Sequence, residues 1–371
     1  MIKRFILIIV IMMCLTTTLG AEETDLYKEQ FSASGVEELE DVLPENAEKF
    51  LNGFSLDISD SGWVNSLSSE GFFSHIWDFL KGGAAEPLKA FGVILALIVL
   101  SSIISTATDS NMNDTVTFAT LLAASAALLV PVYSVINASV EALSSGANFI
   151  TAFVPIFAAV ITSSGKALTS VSMSAIILLA AGFVTFIANY AVIPLVSGHL
   201  SLSIAASVSP LLKTSNLANT VKKLSLWILG FVSTIFIGIL SIQTVVNSSA
   251  DNLTMRTAKF ILGSGIPVAG GTLAEALSTV TASLSLLRSS VGIWGVLICA
   301  LTFLPVLIEL LLWRACLWAL SFFSETFSVS KLSTLLKSVD AVLSVLVGIL
   351  LLTGAMFIIS LTVVILGGQS V

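Results

Sequence analysis

Charge is scarce in this chain: 11% of its 371 residues are Asp, Glu, Lys or Arg. Ordinary soluble domains carry about 25%, so a conventional water-soluble globular protein is excluded. Histidine is nearly missing too. His75 and His199 each stand without a Cys, His or acid at ligand spacing, which leaves a metal centre or a His-based nucleophile without residues. Three cysteines are too few for a disulfide scaffold. Cys14 falls in the leader, while Cys299 and Cys316 fall in apolar surroundings where thiols are inert. No basic stripe offers itself to nucleic acid, and Gly263-Ser264-Gly265 lacks the Lys-Ser/Thr of a phosphate loop. No catalytic, cofactor-binding or metal-binding residues are assigned, and the chain is expected not to be an enzyme.

What is present is apolar length. Hydrophobic residues make up 56% of the chain and the mean hydropathy is +1.02. Runs of about 20 residues, long enough for a ~30 Å hydrocarbon core, lie at 87–107, 116–137, 172–196, 226–247, 291–313 and 341–366. Shorter or diluted runs lie at 149–163, 197–212, 260–285 and 314–324. Ten-residue alternation is missing and lipid offers no partner to open backbone groups, so the spans are helices. The fold class is therefore all-α: a polytopic helical membrane protein with six to ten crossings. It is preceded by a signal peptide (1–21) and a small acidic helical extracytoplasmic segment (22–86), and the multispan domain runs over 87–371.

The leader reads Lys3-Arg4, an apolar stretch Phe5–Leu15, then small residues to Ala21; an uncleaved anchor is the alternative. Residues 22–60 hold twelve acids against Lys28 and Lys49, leaving the remainder of the chain weakly basic within a net charge of −7. Within this segment Ser34 and Glu37 make a capping box before Val36, Leu39 and Val42/Leu43. Pro44 suits the first turn of a second helix carrying Ala47, Phe50, Leu51 and Phe54. Phe72, Phe73, Ile76, Trp77 and Leu80 form a third element at the headgroup layer.

A unit of about 110 residues is repeated. Asn137-Ala138-Ser139-Val140-Glu141-Ala142-Leu143 is echoed by Asn247-Ser248-Ser249-Ala250-Asp251-Asn252-Leu253, each read as an acidic loop ending a span. Phe149 and Phe260, Pro155 and Pro267, and Pro194 and Pro305 follow in step. The units are 108–213 and 214–328, with a truncated third at 329–371. If every run crosses, Glu141 and Asp251 fall on one side and the units are parallel; if the Pro-broken segments are re-entrant, the units invert.

Candidate functional positions are few. Pro155, Pro267, Gly270 and Gly271 either shape a pore, since broken backbone at membrane depth must line a cavity or be buried in protein, or let helices pack closely. Glu309, Arg314 and Glu275 are intramembrane charges. Proton or ion handling is the sharper reading for Glu309; an ion pair with Arg314 is the simpler one and is preferred.

The stretch Ala250 to Phe260 (Ala-Asp-Asn-Leu-Thr-Met-Arg-Thr-Ala-Lys-Phe), followed by Pro267-Val268 and Gly270, resembles the stage III sporulation protein AE family. Asn216-Leu217-Ala218-Asn219, Lys222-Lys223 and Gly238 to Gln243 are similar to the same family, as is the overall plan. The resemblance implies an integral membrane component of a channel-like apparatus joining mother cell and forespore, needed for late forespore development. It places the chain in the mother-cell membrane with 22–86 in the intermembrane space. The implied partners are the other stage III A operon proteins and a forespore protein of the stage II Q type. Asp251, Arg256 and Lys259 belong to the motif, with a structural or partner-contact role. The rival reading is a stand-alone secondary transporter built on the repeats, with Glu309 as coupling group.

Overall fold

The computed structural model describes residues 21–51, 59, 63, 69–107, 110–187 and 270–367, with scattered single positions from 190 to 257. Among these the regular structure is helical. α1 (Ala21–Ala33), a 3-10 turn (Val36–Val42) and α2 (Glu45–Leu51) form the acidic segment. α3 (Ser69–Thr106), α4 (Ser110–Ser163), α5 (Ala167–Ile187), α6 (Gly270–Thr326) and α7 (Ser330–Gly367) form the apolar bundle. α3, α4, α6 and α7 are each long and apolar enough to cross a membrane, and Ser170–Phe183 in α5 is a shorter apolar stretch. The all-α membrane class expected from composition is the class observed.

Several boundaries differ from the sequence reading. Asn137–Leu143 is not a loop: it lies inside α4, which runs unbroken for 54 residues and joins the runs 116–137 and 149–163. The stretch contains no Gly or Pro, and Ser139 Oγ donates back to the Val135 carbonyl at 2.7 Å, a bond that helices accommodate. Pro155 does not break α4 either. A proline removes one i→i−4 bond and crowds one carbonyl, and here the flanking turns hold. The chain turns only at Gly165, whose φ of 81° suits a residue without Cβ. Runs 291–313 and 314–324 likewise belong to one helix, the 57-residue α6, which passes through Pro305. The aromatic element at 72–80 and the span at 87–107 are both α3, continuous through Pro87. The counterparts of the repeat at 243–256 and 258–269 lie outside the described residues, as do residues 1–20 and most of the run 226–247.

At ~1.5 Å per residue, α4 and α6 are roughly 81 and 86 Å long, far more than a ~30 Å hydrocarbon core needs. They pack antiparallel by inserting aromatic rings over glycines. A Cβ on Gly295 would stand 2.5 Å from the Phe153 ring, and one on Gly146 would stand 2.6 Å from Phe303. α7 returns antiparallel along α6: Phe303 also faces Gly354 and Phe357, and Ile365 fills the space over Gly292. Among the described residues, close packing over glycines is made at Gly146, Gly292, Gly295 and Gly354. The α6–α7 turn is closed by Val329 N–H donating to Ser324 O (2.8 Å), Ser324 Oγ donating to Val329 O (2.7 Å), and Ser328 in the left-handed region at φ 60°.

The acidic segment lies against the bundle. Tyr27, Phe31, Val36, Leu39, Ala47 and Phe50 are buried, and α1 and α2 pack on α6 while the 3-10 turn packs on α4. Ser34 does not act as the expected capping box. Its hydroxyl donates to Phe31 O (2.6 Å) and accepts weakly from Val36 N–H (3.4 Å), and Gly35 caps a 3-10 turn, not an α-helix. Pro44 does start α2, its carbonyl accepting from the N–H groups of Ala47 and Glu48 at 2.9 Å.

Candidate functional site: a polar cavity between α2, α4 and α6

The cavity takes its walls from four helices. α2 supplies Glu45, Asn46 and Lys49 just after Pro44, α3 supplies Gly83, α4 supplies Ala138, Glu141, Ala142 and Ser145, and α6 supplies Thr302, Pro305, Val306 and Glu309. Its volume is about 330 Å3, at the lower end of small-molecule sites, ~300–1,000 Å3. One sequence-level candidate, Glu309, meets Pro305 and Glu141 here.

Electrostatics at the α2 wall are set by one cation. Lys49 Nζ lies 2.6 Å from Glu45 Oε1, one turn back. That hydrogen bond and charge hold the Glu45 carboxyl below its ordinary range. The Lys49 ammonium is pushed above its own, by Glu45 first and then by the charges of Glu141 and Glu48. At the α6 wall, Pro305 has no N–H to give to the carbonyl four residues back, and in the same turn the Asn46 amide donates to the Thr302 carbonyl at 3.4 Å. Glu309 is half-buried one turn beyond Pro305. The Trp313 indole is buried a turn further on, and its Nε1 has no hydrogen-bond partner.

The expected Glu309–Arg314 ion pair is not what forms. Arg314 Nε donates to Asp340 Oδ1 at 2.8 Å, clamping α6 to α7 with both side chains about two-thirds buried. Five residues along a helix turn the side chain away from Glu309, whereas Asp340 faces Arg314 across the α6–α7 hairpin. The turn end of that hairpin is tied by Glu325, which accepts from Ser333 Oγ (2.9 Å) and from Lys337.

Other candidates are dispersed. Pro155 is exposed on α4, away from the cavity. Gly270 and Gly271 open α6, and Glu275 lies in its second turn with its side chain outside the described residues. Pro267, Asp251, Arg256 and Lys259 lie outside the described residues altogether. Among the described residues no group of three His, Cys, Asp or Glu is placed to hold a metal ion. Sequence reasoning missed Lys49, Asn46 and Asp340. Only Lys49 carried a signal, standing four residues after Glu45 on a helix.

Comparison with known proteins gives these features a context. No solved structure matches the chain. The stage III sporulation protein AE of Bacillus subtilis (strain 168) is 30% identical over 336 residues, covering 88% of this chain and 82% of that protein. The family profile of stage III sporulation protein AE matches residues 61–368, from just before α3 to the end of α7. With an acidic segment ahead of long apolar helices and this match over most of its length, the chain belongs to the stage III sporulation protein AE family.

Proposed function

We propose that this protein is a non-enzymatic membrane subunit of a multi-protein channel or secretion-like apparatus that connects mother cell and forespore during endospore formation. It resides in the mother-cell membrane and is needed for late forespore development. Its partners are the other stage III A operon membrane proteins and, across the gap, a stage II Q-type forespore protein. Family membership supports the sporulation role. The observation that carries the assembly reading is the length of α4 and α6, 54 and 57 residues. Helices nearly three times the hydrocarbon thickness carry surface well outside the lipid, where neighbouring subunits dock. The test is photo-crosslinking from the exposed Trp77 and Trp318 positions in sporulating cells. Covalent adducts with stage III A proteins are expected; a chain recovered free of them, in cells whose deletion strain still makes normal spore numbers, sinks the proposal.

A stand-alone transporter is favoured by one observation only: Glu309 lines a polar cavity. Glu309→Gln discriminates. Spore counts that match the parent strain eliminate a coupled transporter, since Gln cannot cycle a proton.

A further inference from the structure

Helix α3 has two faces of different make. Ala90, Ile94 and Ile98 are buried, on the side that packs against α4 and α6. The opposite side is exposed along its length. Its central positions, Asp78, Gly82, Ala85, Lys89, Gly92 and Ala96, step by four and three residues in turn, and Ile103 continues the stripe seven residues on. Alternating steps of four and three are the spacing of a seam between two supercoiled helices. Lipid alone does not account for the composition of this stripe. Acyl chains pack as well against large aliphatic side chains, whereas Gly and Ala let two backbones approach closely. Here the small residues run down the middle, and Leu88, Val93 and Leu100 stand exposed at the sides. Gly146, Gly292, Gly295 and Gly354 each receive a side chain from a neighbouring helix, but a Cβ on Gly82 or Gly92 meets nothing within 4 Å.

The charges identify the occupant. Lys81 flanks the seam on one side, and Glu86, five residues later, flanks it on the other; both are exposed. In a parallel pair of helices, residues so placed face each other across the seam and set the choice of partner. A second copy enters the same membrane the same way round, so its α3 runs parallel, and a two-fold axis makes each contact twice. Lys81 of either copy then meets Glu86 of the other. Lys89, on the seam itself, keeps its own Glu86 at 3.0 Å, and Asp78 keeps its own Lys81 at 3.6 Å, so neither layer carries uncompensated like charge.

We infer that the exposed face of α3 is a parallel, two-fold contact with a second copy of this chain, centred on Ala85, Lys89 and Gly92. The inference goes beyond the channel reading and stands without it.

The test is disulfide formation in membranes from sporulating cells, using the full chain with Cys14, Cys299 and Cys316 replaced by alanine. Ala96→Cys lies on the seam, while Ile104→Cys on α3 and Val130→Cys on α4 are also exposed but lie off it. Under mild oxidation the Ala96→Cys protein forms a species of twice the chain mass roughly tenfold faster than either control, because oriented neighbours outpace chance encounters. Adding Gly92→Leu abolishes that product and leaves the detergent melting temperature unchanged. Adding Lys81→Glu slows the product about threefold, as an exposed ion pair allows, and Glu86→Lys on top of it restores the rate. The rescue reads pairing between copies, because in the exchanged protein the pairs within one helix, with Asp78 and Lys89, are both repulsive. Equal rates at Ala96→Cys and the two controls, as for a lipid-facing helix or random collision, overturn the inference. So does an adduct of any other mass, which puts a different protein on this face, and so does a charge exchange that fails to restore the rate.

Discussion

Helices α3 and α7 have the same length, 38 residues, and both qualify as membrane spans. Their surroundings are opposite. In α3, 22% of the apolar window is buried, against 67% in α7. Leu88, Val93, Leu100, Ile103 and Ile104 are exposed on α3, while no large hydrophobic side chain of α7 is exposed among the described residues. Apolarity sends both helices out of water; it does not choose lipid or protein as the solvent. The choice is made by shape. Gly354 admits the Phe303 ring on α7, whereas Gly92 of α3 has nothing within 4 Å.

Substitutions at matched positions test this contrast. Phe303, 3% exposed and wedged between α4 and α7, should lose about 3–5 kcal/mol when changed to Ala, seen as a large drop in detergent melting temperature. Leu100→Ala on α3 should shift it little, and comparable losses would mean that α3 is packed after all. Gly295→Ala forces a Cβ against the buried Phe153 ring and should destabilise by about 1–3 kcal/mol. Gly92→Ala should instead be neutral or stabilising by up to ~1 kcal/mol, through helix propensity. The sign difference is the point of the pair. Smaller again is the Arg314–Asp340 clamp, about 1 kcal/mol because both groups remain partly accessible. In a double-mutant cycle Asp340→Asn should cost nothing further once Arg314→Gln is present; an additive cycle would dissolve the clamp.

The faintest effect belongs to the acidic segment. The Glu45 carboxyl is depressed in the folded chain, so its contribution is full above the ordinary carboxylate value and fades as pH falls through the lower folded value. The Lys49 ammonium is raised, so its contribution is full below the ordinary lysine value and fades as pH rises through the higher one. Docking of the acidic segment, read as the detergent melting temperature of the full chain, should therefore be flat across neutral pH and weaken only at both extremes. A step near neutrality would place another group in control.

Legibility from sequence followed the range of the interactions. Pro44 at the start of α2 and the membrane class are local or compositional, and the sequence displays them. Continuity of α4 through Asn137–Leu143 was hidden by an assumption that a span must stop where lipid stops. Nothing in Ala138-Ser139-Val140-Glu141-Ala142 forbids a helix, and the chain kept going. The cavity was half legible, since Glu309 and Pro305 stand out as a buried charge and a helix flaw. Their companions Asn46 and Glu141 are 263 and 168 residues away from Glu309 in sequence, and only folding reveals that they share a wall. Asp340 was invisible for the same reason: its partner is 26 residues back, across a hairpin turn.

Pro305 has a mechanical meaning that its chemistry alone does not convey. It sits along α6 between the stretch on which the acidic segment docks, 283–302, and the stretch that carries the exposed Trp318 and Phe322. Prolines are where long helices flex. A rod jointed beside its own cavity links its two ends, so that a tilt at either is felt as a change in the shape of the hollow between them.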